Sequence, residues 1–107
     1  MKAAHTPGPW AVLPEEHDRP YIRVRGTQLG GRYKVANVAG PGYEGAHQRE
    51  ADETRANAQL IAAVPNLFDV AKLIEPLIPD LIATGLLTAE QTDSIRAAIS
   101  KATGRAV

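Results

Sequence analysis

Cysteine is absent from the 107 residues, and its absence excludes a disulfide framework and thiolate chemistry. Aromatic side chains are scarce: one tryptophan, one phenylalanine and three tyrosines, too few for the ladder of stacking rings that grips single-stranded nucleic acid. Neither sign of charge is in excess, twelve basic residues standing against twelve acidic, so the chain lacks the electrostatic footprint of a nucleic-acid-binding or membrane-surface protein. Long apolar runs are missing as well. The richest region, 60–87, is broken by Asn66, Asp69, Lys72, Glu75 and Asp80, which argues against a bilayer span, and the N-terminus has no apolar stretch of the secretory kind. The expectation is a soluble cytoplasmic protein.

Catalytic constellations are equally thin. Ser94 and Ser100, the only serines, fall on one C-terminal helical pattern with no histidine nearby, so a serine triad is not expected. No Walker loop or dinucleotide fingerprint occurs. Glu15, Glu16, His17 and Asp18 form the densest cluster of possible ligands, but neighbours on a loop rarely converge on one metal, and a solvated loop is expected there. His5 and His47 stand alone. The chain is therefore read as a non-enzyme that carries neither metal nor cofactor.

What is present is a change of period near residue 50. Before it, Trp10 to Leu13, Tyr21 to Arg25 and Tyr33 to Val38 are short β-like runs separated by the glycine-rich breaks GTQLGG and AGPGYEG, the pattern of an antiparallel meander. YIRVR alternates, placing Ile22 and Val24 on one face and Tyr21, Arg23 and Arg25 on the other, and Gly26, Gly30 and Gly31 are available for positive φ in the hairpin that follows. After residue 50 the pattern is helical. EADETRANAQLIAAV carries acids in its first turns and an apolar stripe of Leu60, Ile61 and Val64 expected to close at Pro65. A second helix is expected to bury Leu67, Val70, Ala71 and Ile74, and a short segment from Leu77 to Thr84 follows Pro76. Thr88 and Gln91 then form a capping box for a last helix burying Ile95, Ala98, Ile99 and Ala102. The expected fold is α+β in one domain, 1–107: a small antiparallel sheet within 1–49, covered by helices within 50–107 that end in a helical hairpin. In HTPGPW, Pro7 and Pro9 restrict the backbone so that Trp10 is delivered under the ANAQLIAA helix.

Arg19, Arg23, Arg25, Arg32 and Lys34 lie between positions 19 and 43 with no acidic residue among them, a segment that attracts anions. Tyr21, Arg23 and Arg25 share a strand face, where guanidinium forks meet phosphate and a ring stacks on a base. The plainer reading makes these arginines a solvent face that balances the acidic helices. Tyr43 sits on the glycine-rich loop 39–47, where close backbone approach and a phenol suit a mobile binding loop. The expected ligand-binding set is Tyr21, Arg23, Arg25, Arg32, Lys34 and Tyr43, with Tyr33 as another ring available for stacking.

HTPGPW followed by ANAQLIAAVPNLFDVAK resembles a widespread family of small phage and prophage proteins that open with HTPGPW and later carry a helix of the form ANAxLIAAxPxLL. The likeness runs from about residue 5 to 74; Val64 and Phe68 stand where alanine and leucine are more usual. It implies a phage protein working in the cytoplasm of an infected bacterium. The order of sheet then helices is also similar to that of oligomeric phage sponges, which sequester cyclic nucleotide messengers of host defence. The resemblance and the basic strand together lead to an expected non-enzymatic sponge for a cyclic nucleotide. It is expected to be a homodimer or higher homo-oligomer, with no nucleic-acid polymer or membrane as partner. The alternative is a protein-binding inhibitor of a host defence enzyme, anchored by Leu81, Ile82, Leu86 and Leu87 on the helical hairpin.

Overall fold

YIRVRG alternates half-buried and buried residues along its whole length, and the central strand of the sheet is built on that alternation. A computed structural model describes residues 5–31, 33–40 and 48–104. Strands β1 (Trp10–Val12), β2 (Tyr21–Gly26) and β3 (Tyr33–Ala39) form an antiparallel sheet in the order β1-β2-β3. Trp10 lies opposite Gly26, Ile22 opposite Val38 and Arg23 opposite Asn37. A register shift at Val24/Arg25 leaves Val35 as an extra residue in β3, since Val24 faces Ala36 and Arg25 faces Lys34. A 3-10 turn, Gln28–Gly31, joins β2 to β3, and Gly30 there takes φ 69°, the left-handed conformation glycine adopts without steric cost. Gly26 has a different task from the one the sequence suggested. It pairs within β2, and a Cβ on it would lie 2.7 Å from Thr6 Cγ2.

Helix α1 (Gln48–Ile74) runs through Pro65 without a break, which corrects the expectation that it closes there. Proline deletes one backbone hydrogen bond of the ladder; the position is buried nonetheless, and Gly8 lies against the ring. A 3-10 turn, Glu75–Leu77, leads into α2 (Ile78–Ala83), and α3 (Ala89–Thr103) follows a turn in which Gly85 takes φ 74°. This is the α+β arrangement expected, an N-terminal three-stranded sheet followed by helices. The chain divides into two compact units, Met1–Pro65 and Asn66–Val107.

In the first unit the core is Ile22, Val24, Ala58 and Ala62, with Trp10, Val12, Val35, Ala36, Val38 and Ile61 packed around it. Here α1 meets the sheet through its small residues rather than its large ones. Thr54, Ala58, Ala62 and Pro65 are the buried positions, while Leu60 and Val64, expected inside, are exposed. Alanine lets a helix approach a sheet closely, and Trp10 supplies the bulk that the alanines lack.

In the second unit Ile78, Thr92 and Ile99 are buried and α2 contacts α3. Leu67 and Val70, expected to be core, are exposed, as are Ala98 and Ala102. The capping box of α3 forms as expected: the Gln91 N–H donates to Thr88 Oγ1 at 3.1 Å and the Thr88 N–H donates to Gln91 Oε1 at 2.9 Å. Gly104 closes the helix in the left-handed conformation. Thr88→Ala removes the first of these bonds and is expected to cost about 1 kcal/mol. A fall of about 4–8 °C in the thermal midpoint, followed by circular dichroism, would verify it; an unchanged midpoint would show that the cap does not hold α3.

Candidate functional site

Side chains at 21, 23 and 25 alternate away from the core, so the outer face of the sheet carries Tyr21, Arg23 and Arg25 together, as the sequence predicts. Register adds Asn37 beside Arg23 and Lys34 beside Arg25 on the same face. Tyr33 pairs with Gly26 and so belongs to the opposite face. Arg32 and Tyr43 lie outside the described residues.

The arginines are held in different ways. Arg25 donates to the carbonyls of Val24 at 3.0 Å and Ala36 at 3.2 Å, and both its terminal nitrogens reach Asn37 Oδ1 at 3.3 Å. These partners flank the β3 irregularity, so Arg25 serves the sheet first. Arg23 is held by one carboxylate, Glu16 Oε1 lying 2.6 Å from its Nη2, with a long bond from the same nitrogen to the Pro14 carbonyl at 3.4 Å.

Glu16 binds a second guanidinium. Arg19 Nε sits 2.7 Å from Glu16 Oε2, and Arg19 Nη1 donates to the Tyr21 hydroxyl at 2.8 Å, with its guanidinium 5.8 Å from the Tyr21 ring centre. The bond to Tyr21 and then the charge of Glu16 raise the pKa of Arg19 above the ordinary arginine value, against a small opposing effect of desolvation. One carboxylate thus lies between two guanidiniums, and the cluster keeps one net positive charge beside a phenol.

Sequence reasoning placed Arg19 in the anion-attracting segment but outside the ligand-binding set, and it missed Glu16 by treating the Glu15–Asp18 run as solvated. Glu15 is exposed and Glu16 half-buried, and both are paired. The i, i+3 spacing of Glu16 and Arg19, at the border between the acidic run and the acid-free segment, was the signal available. Glu15 is held by Arg55 of α1 through two bonds, Nε to Oε2 at 2.9 Å and Nη2 to Oε1 at 3.3 Å, and Asp52 braces Arg55 at 3.1 Å. Hydrogen bonding from Arg55 holds the Glu15 carboxyl below its usual range, and the same pair raises Arg55. The segment between β1 and β2 is thereby tied to the helix.

Two concavities flank this segment within the first unit. One, of about 160 Å³, is lined by Glu16, Arg19, Tyr21, Gly40 and Thr54 among others; the second, of about 310 Å³, includes Leu13, Glu15, Arg55 and Gln59. The smaller is of a size for a phosphate or a single ring rather than a whole nucleotide, since drug-sized ligands fill roughly 300–1,000 Å³. Among the described residues no cluster of three or more His, Asp or Glu has the geometry of a metal site, and no helix is long and apolar enough to cross a membrane.

A family model described as Salmonella phage P22 protein Y8K6 matches residues 1–106. No curated protein matches the chain, and no solved structure does.

Proposed function

The chain belongs to the family of Salmonella phage P22 protein Y8K6, and from that premise we propose that it is a non-enzymatic binding protein that sequesters a cyclic nucleotide signal of host defence in the cytoplasm of the infected bacterium. The observation that carries the reading is the convergence of Arg19 and Arg23 on the single carboxylate of Glu16, beside the Tyr21 hydroxyl. A carboxylate between two guanidinium groups stands where a phosphate would sit, taking one charge-assisted bond from each guanidinium. A phosphate displaces Glu16, enters the concavity beside Tyr21, and leaves the attached base to stack on the outer face of the sheet, where Lys34 adds a further positive charge. Binding needs no bond to break, which is why the site requires neither a nucleophile nor a base.

The test is a thermal-shift series with cyclic dinucleotides, cyclic trinucleotides and cyclic ADP-ribose isomers, since a ligand that binds only the folded state raises its stability by mass action. One of them is expected to raise the midpoint and to be recovered intact after heating. Arg23→Ala is expected to weaken that ligand by about 10–100-fold, the range for losing a charge-assisted bond of about 1.5–3 kcal/mol. Glu16→Gln, which removes the competing charge, is expected to tighten it several-fold. Arg25→Ala is a poorer probe because it disturbs β3. A chemically altered ligand on recovery would make the protein an enzyme, and no shift with any of the series would end the reading.

A further inference from the structure

Glu15 and Arg55 meet side-on. Arg55 Nε reaches Glu15 Oε2 at 2.9 Å and Nη2 reaches Oε1 at 3.3 Å, so two parallel N–H groups fill both oxygens of one carboxylate. That hydrogen bonding holds the carboxyl below its usual range, and an ionised carboxylate only accepts. The pair borders the concavity of about 310 Å³, whose walls include the apolar side chains of Leu13, Pro14 and Ile22 and which Gln59 also lines. Those walls are fixed from the sheet: Ile22 is a core residue of β2, and the Leu13 N–H donates to the Arg23 carbonyl at 3.0 Å. Arg55 has a second anchor, its Nη1 donating to Asp52 Oδ1 at 3.1 Å. The guanidinium can therefore release Glu15 and remain paired.

We propose that this concavity is a binding site for guanine, whose Watson–Crick edge takes the place of the Arg55 fork on Glu15. Guanine presents N1–H and N2–H side by side, the two-donor pattern of a guanidinium without its charge, and the two oxygens of Glu15 accept from it. Its O6 then needs a donor. Gln59 stands one helical turn beyond Arg55 on the same face of α1 and lines the same concavity, and its amide supplies one. The apolar walls favour a neutral ring over a second guanidinium, because a charged group loses its hydration against Leu13, Pro14 and Ile22. Adenine is rejected at the same edge, where its N1 lone pair would face a carboxylate oxygen. The volume suits one nucleoside, at the small end of the roughly 300–1,000 Å³ that ligand clefts occupy. Anion binding by Arg19 and Arg23 turns on Glu16, so the two readings fail separately when the probe carries no phosphate.

The probe is guanosine, titrated into the full isotope-labelled chain with the side-chain N–H resonances of Arg55 and Gln59 as the readout. It is expected to shift both and to bind with a dissociation constant below about 1 mM. Inosine, which lacks the N2 amino group, is expected to bind about 10-fold more weakly, and adenosine not measurably. Two substitutions at exposed positions, each expected to keep the parent circular dichroism spectrum, separate a site from a structural tie. Glu15→Gln is expected to weaken guanosine by about 10-fold or more. Arg55→Lys keeps the charge and gives up the fork, so it is expected to tighten guanosine several-fold by making the carboxylate easier to free. A parent chain that does not bind guanosine would overturn the inference, as would equal binding of the three nucleosides or a Glu15→Gln protein that binds as the parent does. So would a loss in both variants, which would make the pair a brace between the β1–β2 segment and α1. Tighter binding of N-acetylarginine amide than of guanosine would overturn it too, by assigning the carboxylate to a guanidinium ligand.

Discussion

Gly8→Ala is expected to lower the thermal midpoint by about 10 °C, a loss of about 1–3 kcal/mol on the scale of overpacking in a closed core. An added Cβ would stand 2.8 Å from Cβ of Pro65 and 3.5 Å from its Cγ, closer than carbon atoms approach without repulsion. Neither side has an easy way out. The proline ring is fused to the backbone of α1 and buried, so no side-chain rotation relieves the contact. Gly85 provides the control: its φ of 74° is costly for alanine, but an added Cβ there meets nothing within 4 Å. Gly85→Ala is therefore expected to lose about 1 kcal/mol from backbone strain alone. Melting curves of both variants by circular dichroism separate the causes. A Gly8→Ala protein as stable as the parent would show that the N-terminal segment does not press on the helix.

That contact also accounts for the pairing of two motifs far apart in sequence. HTPGPW contributes the glycine and ANAQLIAAVP the proline, and the chain between them returns through three strands to bring the two together. The prolines around Gly8 made a rigid opening legible from the sequence, and the strand alternation in YIRVRG made the central strand legible, because period two has no other structural meaning at that length. The Thr88 and Gln91 cap was legible for the same local reason.

Helix burial was less legible, and the failure has a physical cause. Apolar periodicity marks the large residues, and along α1 these are Leu60, Val64, Leu67 and Val70; the sheet instead selected the face with Ala58 and Ala62, where the helix can come close. Two apolar faces on one helix leave the sequence unable to say which is covered. Of the candidate site, the shared face of Tyr21, Arg23 and Arg25 followed from alternation alone. What did not follow was the division of labour. Arg25 is absorbed by carbonyls at a β-bulge, and Arg23 is shared with Arg19 by a glutamate from a preceding loop; both facts depend on pairings that spacing does not encode.

Trp10→Ala is expected to have the largest effect on stability of any single truncation in the first unit, about 3 kcal/mol, from the low end of the range for deleting a large aromatic from a core. The ring packs against the cluster of Ile22, Val24, Ala58 and Ala62, and its Nε1 donates to the Thr6 carbonyl at 3.0 Å, which fixes the ring from its polar edge. Small alanines on the helix leave the neighbouring residues unable to close the gap, so the cavity persists and its cost is not recovered by collapse. Trp10→Phe keeps most of the ring and loses the bond to Thr6, for an expected cost of about 1 kcal/mol beyond the smaller volume. Urea denaturation followed by far-ultraviolet circular dichroism measures both, because the truncation also removes the only tryptophan fluorescence. Equal midpoints for parent and Trp10→Ala would place the ring outside the core and remove the support for β1. The inner face of β2 sets the outer one, since Ile22 and Val24 alternate with Tyr21, Arg23 and Arg25 along the same six residues. Loosening Trp10 is therefore also expected to weaken any ligand held by Arg23, and the two losses should be proportionate across Trp10→Phe and Trp10→Ala.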